Sequence, residues 1–254
     1  ASLFCYLLSL SWYNRICSCM DIIHTKEAFL EGQLLLIDKP FSWTSFQVVN
    51  KIRWAIRKEF DIKKIKVGHA GTLDPLATGL MLICTGRMTK QIEQFMGMPK
   101  TYTGSFRLGA KTPSYDLETS VSEPKPTGHI SAEMLEEVRA GFLGNIQQKP
   151  PIYAAIKKDG KRLYSLARSG KTIEIPSREV QVTDFKLTDV KMPDVHFSVS
   201  CNKGTYIRSL AHDFGQKLGC GAHLTSLKRT AIGSYPLSAA LTLDVFLHSL
   251  EAKS

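Results

Sequence analysis

Hydrophobic and polar residues alternate in the first part of this chain in a way that predicts a strand followed by a helix. The apolar run from Leu34 to Asp38 ends at Lys39-Pro40, and a proline, which has no backbone N–H, is typical of the end of a strand. Residues suited to capping a helix come next: Ser42, Thr44 and Ser45. Apolar residues then recur at helical spacing: Phe46, Val49, Ile52 and Ile56. The pattern therefore predicts a strand, a turn and a helix.

Strand-like and helix-like segments alternate irregularly in the rest of the chain. Lys66-Val67 leads into a glycine-rich loop, residues 68–79, and then into the apolar run Leu80 to Cys84. The stretch from Lys111 to Gly128, rich in Pro, Ser, Thr and acids, is predicted to be a mobile loop. Period-2 and helical patterns predict further strands and helices: strands at Tyr102–Leu108, Thr172–Ile175 and Val195–Cys201, helices at Ala132–Phe142 and Tyr206–Leu218. This order favours an α+β fold around a mixed sheet over a regular doubly wound fold.

Charge points to a polyanionic partner. The 254 residues carry a formal net charge of +10. A basic surplus serves solubility in many proteins, but here the cations fall in two separated clusters, which favours a binding groove for nucleic acid. The first cluster contains Lys51, Arg53, Arg57, Lys58, Lys63, Lys64 and Lys66, and the second contains Lys157, Lys158, Lys161, Arg162, Arg168 and Lys171.

The start of the chain and its cysteines exclude some other classes of protein. The apolar opening is about ten residues long, too short to span a bilayer, and it lacks a clear cleavage site. Residues 1–30 are interpreted as an ill-defined leader, with a weak targeting segment as the alternative, and residues 31–254 as one domain. The 6 cysteines have no C-x-x-C spacing, so no zinc site is expected. Buried reduced thiols in an intracellular protein are the simplest interpretation.

The segment GHAGTLDPLATG, Gly68 to Gly79, is the strongest candidate for chemistry. Its glycines bend the backbone around His69, Thr72 and Asp74, and a proline follows the aspartate. Each part also has an ordinary explanation, since Asp-Pro is a common turn element and a loop histidine usually forms structural hydrogen bonds. The segment has neither the G-K-[ST] ending of a P-loop nor G-x-G-x-x-G spacing, so nucleotide-cofactor binding is not expected.

The whole segment resembles the signature of the TruB family of tRNA pseudouridine synthases. Further family-like segments follow in the family's order and extend the resemblance over roughly residues 32 to 237. They are Leu35 to Pro40 ("LxxDKP"), Lys100 to Tyr102 ("KxY"), Gln148 to Lys157 with Gly160 to Gly170 ("PPxYSAxK...GxxxYxxAR.G"), Gly204 to Leu210 ("G.YIR.L") and Gly219 to Thr230 ("GCGAHLxxLxRT"). Ala154 departs from the family pattern, which usually has serine there.

The resemblance implies a fold and an activity. It implies the pseudouridine synthase fold: a mixed, largely antiparallel sheet flanked by helices, with a central RNA-binding catalytic cleft. The expected reaction converts uridine to pseudouridine in the T-loop of tRNA (position 55), with no metal and no other cofactor. Asp74 is then the catalytic carboxylate, either as a nucleophile at ribose C1′ or through electrostatic and proton-transfer assistance. Arg208 is expected to pair with Asp74 and keep it ionised.

The resemblance also implies roles for other residues. Tyr102 is expected to stack on the target uracil, although an aromatic residue on an alternating strand is usually core. Tyr206 is expected to line the same pocket and His69 to touch the flipped-out nucleotides. Lys39 is expected to support the catalytic loop. Lys228 and Arg229 are expected to contact phosphate.

Partners and alternatives complete the sequence-based expectation. The expected partner is the T-arm stem-loop of tRNA, bound by a cytoplasmic monomer with no separate C-terminal RNA-binding domain, no membrane contact and no small-molecule cofactor. One alternative is a guide-RNA-dependent synthase that modifies ribosomal RNA within a multiprotein particle, although such relatives depend on an extra C-terminal domain. The other is a non-catalytic tRNA-folding factor, a class in which loss of the aspartate would be expected.

Overall fold

The secondary structure comes from a computed structural model that describes residues 22–151, 157–158, 161–162 and 176–251. The predicted strand Thr172–Ile175, the departure at Ala154 and part of the second basic cluster lie outside the described residues. The helices are α1 (Lys26–Glu31), α2 (Ser45–Glu59), α3 (Ile92–Gly97), α4 (Ala132–Ala140), α5 (Ile207–Lys217) and α6 (Leu243–Glu251). Short 3-10 turns cover Gly86–Gln91 and Leu237–Ala239.

The strands follow most of the predicted apolar and alternating segments. They are β1 (Leu34–Lys39), β2 (Val67–His69), β3 (Thr78–Thr85), β4 (Lys100–Leu108), β5 (Gly144–Gln148), β6 (Lys157–Lys158), β7 (Lys161–Arg162), β8 (Arg178–Lys191), β9 (Asp194–Cys201), β10 (Ala222–Ile232), β11 (Tyr235–Pro236) and β12 (Leu241–Thr242). The described residues divide into two compact units: unit 1 holds those up to residue 96 and from residue 233 onward, and unit 2 holds those from residue 97 to residue 232.

Unit 1 is built around a small mixed sheet. β1 pairs antiparallel with β3 and parallel with β12, while β2 pairs antiparallel with β3. Alternate residues of β1 are buried, and nearly all of β3 is buried. Helices α2 and α6 pack against each other, and α6 also contacts β1. Unit 1 therefore draws its core from two separate parts of the chain.

Helix α2 begins where the capping residues predict. Thr44 is the N-cap, and its side chain forms a reciprocal capping box with Gln47, which satisfies free N–H groups of the first turn. The buried face consists of Ser45, Val48, Val49, Ile52 and Ile56. Phe46 does not belong to that face, contrary to the predicted apolar stripe, because it points outward with 67% of its surface exposed.

Unit 2 is built on an antiparallel sheet with the strand order β10-β4-β9-β8-β5. Helix α5 packs against β10, and α4 packs against β8 and α5. The core between sheet and helices is rich in phenylalanine: Phe106, Phe142, Phe185, Phe197 and Phe214. Together with the mixed sheet of unit 1, this arrangement confirms the predicted α+β fold with a mixed, largely antiparallel sheet.

One glycine in unit 2 is required by close packing between strands. A Cβ placed on Gly104 of β4 would lie 2.3 Å from the Ser226 carbonyl oxygen of β10. The register between these two strands shifts between Leu224 and Ser226, and such a bulge brings the partner backbone toward the strand. A side chain at position 104 would push β10 away from β4.

The segment from Lys111 to Gly128 contains no helix or strand, as predicted. Its first half is nevertheless packed into unit 2, since Thr112, Ser114 and Asp116 are buried. The Leu224 N–H of β10 donates to the Tyr115 carbonyl at 2.8 Å. The prediction of a mobile loop is therefore wrong for residues 112–116, because buried side chains and this hydrogen bond fix them. Among the described residues, no helix is long and apolar enough to cross a membrane.

Candidate active site

The loop that carries Asp74 connects two paired strands of unit 1. His69 in β2 pairs with Ile83 in β3, and the Ala70 N–H extends this pairing with a 2.9 Å bond to the Leu82 carbonyl. Gly71 and Gly79 have φ values of 114° and 104°, in the region that favours glycine. The sequence therefore closes a tight loop with Asp74 near its middle, partly exposed to solvent.

The backbone on both sides of Asp74 is fixed by buried side chains. On one side, the Ser45 hydroxyl accepts from the Leu73 N–H at 2.8 Å and donates to the Leu73 carbonyl at 3.0 Å. On the other side, the Lys39 ammonium donates to the Pro75 carbonyl at 3.1 Å. Because both neighbours are held, the position of the Asp74 backbone is determined by the end of β1 and the start of α2.

Lys39 is an internal anchor of this loop. Its side chain is 0% exposed, and its ammonium also donates to the carbonyls of Pro40 at 2.9 Å and Trp43 at 2.6 Å. A buried ammonium needs such partners to offset the loss of water. A direct contact between Lys39 and RNA does not fit this burial, whereas the expected support of the loop does.

His69 and the first basic cluster occupy the more accessible parts of unit 1. The His69 side chain is half-buried at the end of β2. Lys63, Lys64 and Lys66 lie just before β2 and are all exposed. Two arginines of the same cluster act differently, since Arg53 donates to the Val67 carbonyl at 2.8 Å and Arg57 to the Ile62 carbonyl at 3.2 Å. They fix α2 to the chain that follows it.

In unit 2, the candidate residues Tyr206 and Arg208 lie at the start of α5. Tyr206 is the N-cap residue of that helix. Its N–H donates to the Gln148 side chain at 2.7 Å, and the Gln148 amide donates back to the Tyr206 carbonyl at 3.0 Å. The Arg178 guanidinium lies 4.7 Å from the Tyr206 ring centroid and bonds the Gly204 carbonyl. Gln148 therefore fixes the backbone of Tyr206, and Arg178 packs against its ring.

Arg208 is buried, with 2% of its surface exposed. Its Nη1 donates to the Ser114 carbonyl at 3.2 Å and lies 3.6 Å from Oδ2 of Asp116. Asp116 is also buried, and its other carboxylate oxygen accepts from the Glu118 N–H at 3.0 Å. The segment at residues 114–118 therefore positions the Arg208 guanidinium within unit 2.

Tyr102 and Arg229 are cross-strand neighbours in unit 2. Tyr102 of β4 is opposite Arg229 of β10 and is 9% exposed. Arg229 is 1% exposed, so the expected phosphate contact does not fit its position, whereas the neighbouring Lys228 is exposed. Burial and the nearby Arg229 charge lower the pKa of Lys100 to about 8. Two buried basic residues, Lys100 and Arg229, therefore lie beside Tyr102.

Sequence reasoning missed three residues that organise these parts: Ser45, Asp116 and Gln148. Ser45 was interpretable only as a cap, and Asp116 only as a polar loop residue. Gln148 lies at the edge of a family-like segment, which was a usable signal. Their partners are far away in sequence, at Leu73, Arg208 and Tyr206, and a pattern of neighbouring residues does not reveal such contacts.

One partly buried carboxylate on α5, Asp213, predicts a pH-dependent stability effect. Burial raises the pKa of Asp213 from 3.8 to about 6, with Lys217 and Lys149 acting in the opposite direction. A raised aspartate pKa means that its ionised form destabilises the fold, fully above pH 6 and less as pH falls toward 3.8. Asp213→Asn is therefore expected to raise the melting temperature at pH 7.5.

The check is thermal unfolding of wild type and variant at pH 7.5 and pH 4.5. The advantage of Asp213→Asn should be clearly smaller at pH 4.5, because wild-type Asp213 is then mostly protonated. Burial also lowers the pKa of the adjacent His212 to about 4, which makes the fold less stable as the pH falls. Because both proteins contain His212, the difference between their melting temperatures isolates the effect of Asp213. An equal advantage at both pH values would contradict the assignment.

Solved structures define the class of fold. A chain in the crystal structure of a Cbf5–Nop10–Gar1 complex matches 93% of this chain with a TM-score of 0.67 and 25% identity. A chain in the structure of an H/ACA RNP bound to a substrate RNA containing 2′-deoxyuridine matches 91% with a TM-score of 0.64 and 24% identity. This chain spans 60% and 58% of those two chains. The chain therefore shares the α+β fold of these two proteins.

Sequence comparison then identifies the family. The profile "TruB family pseudouridylate synthase (N terminal domain)" matches residues 57–207, and "tRNA pseudouridylate synthase B C-terminal domain" matches residues 208–253. The chain belongs to the TruB family of pseudouridylate synthases.

Curated relatives agree with this assignment over most of their length. The tRNA pseudouridine synthase B of Flavobacterium johnsoniae is 54% identical over 89% of this chain and 100% of its own length. That of Phocaeicola vulgatus is 50% identical over 86% of this chain and 93% of its own. That of Chlorobaculum tepidum is 43% identical over 87% and 91%. The resemblance predicted from short motifs is therefore confirmed over most of the chain.

Proposed function

We propose that this protein is a tRNA pseudouridine synthase that isomerises a uridine in the T-loop of tRNA, at position 55. The observation that carries the proposal is the 54% identity to a tRNA pseudouridine synthase B over that relative's whole length. The solved structures of a Cbf5–Nop10–Gar1 complex and of an H/ACA RNP share the fold at 25% and 24% identity. The much higher identity to the tRNA enzymes favours free tRNA over a guide-dependent substrate.

The reaction rearranges one nucleotide without gain or loss of atoms. The bond between uracil N1 and ribose C1′ breaks, the base turns, and a bond forms between C5 and C1′. The proton from C5 is lost and N1 gains one. A carboxylate at C1′ can act as a nucleophile or stabilise positive charge on the sugar, and either route proceeds with protein groups alone. In the proposal Asp74 has this task.

A fixed carboxylate is what this chemistry requires. Ser45 and Lys39 hold the residues on either side of Asp74, so little reorganisation of the loop is needed when the ribose arrives. The other expected roles carry over as parts of the proposal. Tyr102 stacks on the target uracil, Arg208 keeps Asp74 ionised, Tyr206 lines the pocket, His69 contacts flipped-out nucleotides and Lys228 contacts phosphate.

The direct test is formation of pseudouridine in a tRNA transcript by the purified protein, mapped to a single position. We expect modification in the T-loop. An isolated T-arm stem-loop should also be a substrate, and an unstructured strand containing the same uridine a poor one, because shape selects the splayed-out base. Absence of pseudouridine from every prefolded tRNA tested would refute the proposal.

The proposed enzyme acts as a cytoplasmic monomer.

The exposed lysines before β2 are expected to bind phosphate. Replacing Lys63, Lys64 and Lys66 with alanine should weaken tRNA binding and flatten its salt dependence, since each phosphate contact releases counterions. The rate at saturating enzyme should stay nearly unchanged. Binding titrations over a range of salt, with single-turnover assays, measure both effects.

A matched control is the double variant Lys186→Ala, Lys191→Ala. These lysines are also exposed but lie on β8, where Lys186 is 3.3 Å from Asp184 and Lys191 is 2.9 Å from Asp189. We expect this control to bind like wild type. If the triple variant retained the wild-type affinity and salt slope, the RNA would follow another path.

A further inference from the structure

The outward face of α2 carries an exposed tryptophan between two lysines. The helix buries Val49, Ile52 and Ile56 on its inner side. Residues spaced by three or four positions along the opposite side therefore face solvent. That solvent-facing stripe consists of Gln47, Lys51, Trp54 and Lys58. Trp54 leaves 55% of its surface exposed. The indole therefore presents a large flat apolar surface to solvent in the middle of a polar face.

The two lysines are arranged around the indole. The Lys51 ammonium lies 5.1 Å from the Trp54 ring centroid and the Lys58 ammonium 5.2 Å. Both distances fall in the range of a cation–π attraction, which keeps the charges beside the ring. Among the described residues, neither lysine has a carboxylate within salt-bridge distance. The two charges are therefore available to an anion.

The same helix uses its arginines for a different purpose. Arg53 donates to Asn50 at 2.7 Å and to the Val67 carbonyl, and Arg57 donates to the Ile62 carbonyl. Its basic residues are thus divided between arginines that fix the helix in unit 1 and lysines that flank the exposed ring. This division points to a surface with its own ligand rather than to general basicity.

Nucleic acid matches this combination of an aromatic face and flanking cations. A base can stack on an indole whatever its sequence, while lysines neutralise the phosphates on either side. Lys51 and Lys58 are seven residues apart on the helix, which corresponds to about 10 Å at 1.5 Å per residue. Stacked nucleotides rise about 3.4 Å each, so about three nucleotides fit between the two charges.

We propose that Lys51, Trp54 and Lys58 form a stacking platform for an unpaired base of the bound tRNA, outside the target uridine. The proposal rests on the proposed tRNA substrate and adds a second contact to it. The positive charge of the platform, continued by Lys63, Lys64 and Lys66, favours RNA over an apolar protein partner.

The test compares two changes with different signatures. Trp54→Ala should raise the Kd for tRNA about tenfold, equivalent to about 1.4 kcal/mol, with no change in salt slope. Trp54→Phe should lie between wild type and alanine. Lys51→Gln with Lys58→Gln should also weaken binding but reduce the salt slope by about two. The single-turnover rate at saturating enzyme should be unchanged in all of them.

Two controls separate stacking from general surface effects. Phe46→Ala removes another aromatic from the same helix, 67% exposed, and should leave Kd unchanged. Lys186→Gln with Lys191→Gln removes two charges from unit 2 and should leave the salt slope unchanged. Because Trp54 is exposed, its variants should also keep the wild-type melting temperature.

The outcomes distinguish this proposal from the proposed function. If wild type makes pseudouridine and Trp54→Ala binds tRNA with wild-type Kd, the platform is refuted and the function stands. If Trp54→Ala keeps the wild-type Kd for tRNA but no longer binds a protein partner that wild type binds, the platform is likewise refuted. If wild type makes no pseudouridine in any tRNA, the function itself fails. A tenfold loss with Trp54→Ala, recovered in part by phenylalanine and absent from Phe46→Ala, supports the platform.

Discussion

Asp74→Asn is expected to abolish pseudouridine formation while leaving the Kd for tRNA within about tenfold of wild type, or about 1.4 kcal/mol. Asparagine preserves the size of the side chain but can neither carry the negative charge nor attack C1′. Both routes considered for the reaction need the carboxylate at that carbon. Single-turnover assays with mapped pseudouridine measure the loss, and equilibrium binding measures the affinity.

Asp61→Asn is a suitable control for this variant. Asp61 is exposed in the same unit and has a φ of 45°, a conformation that asparagine tolerates. We expect wild-type turnover from the control. Appreciable turnover by pure Asp74→Asn protein would remove Asp74 from the chemistry and reopen the assignment of the loop. Loss of both turnover and binding would mean that the carboxylate also holds the loop in place.

Lys39→Met is expected to destabilise the protein and slow the reaction together. Methionine retains the apolar length of the side chain but cannot donate to the carbonyls of Pro40, Trp43 and Pro75. An unsatisfied carbonyl costs about 1 to 3 kcal/mol when buried. These three are only partly buried, so a loss of about 3 kcal/mol in unfolding free energy, the lower end for three groups, is expected. The Pro75 carbonyl adjoins Asp74, and a small displacement of a reacting group lowers rates by about tenfold or more.

Denaturant unfolding and single-turnover rates, both taken well below the melting temperature, separate the two effects. Lys26→Met, at an exposed position on α1, should match wild type in both. If Lys39→Met lost stability but kept the full rate, Lys39 would support the fold without positioning the carboxylate. An unchanged unfolding free energy would mean that the buried hydrogen bonds of Lys39 do not stabilise the fold.

Local patterns predicted the elements whose inner faces consist of neighbouring apolar residues. Alternation predicted β4, and helical spacing predicted the buried side of α5, which includes Leu210 and Phe214. Strand β8 was not predicted, because much of its second half is exposed and shows no clean alternation. Where both faces of a strand are exposed to solvent, the sequence has too little contrast between apolar and polar positions to reveal the strand.

The candidate site was predicted through a family resemblance more than through residue chemistry. Asp74 and Arg208 were found because their segments match the family's motifs. Asp116 was missed, since its partner Arg208 lies 92 positions further along and only folding brings the two together. Arg229 was predicted to contact phosphate from its place in a family-like motif, and its burial is a feature that the motif alone does not reveal.

The division of unit 1 between two parts of the chain affects how the protein is made. Strand β1 receives its parallel partner β12, and the core receives Phe246 and Leu250 of α6, only after all of unit 2 has been synthesised. Unit 2 is continuous in sequence and can complete its own core first. During translation β1 can pair with β3 early, but the faces of β1 and α2 that contact β12 and α6 stay uncovered until the end of the chain is made. The two elements that hold the loop carrying Asp74 therefore reach their final packing last.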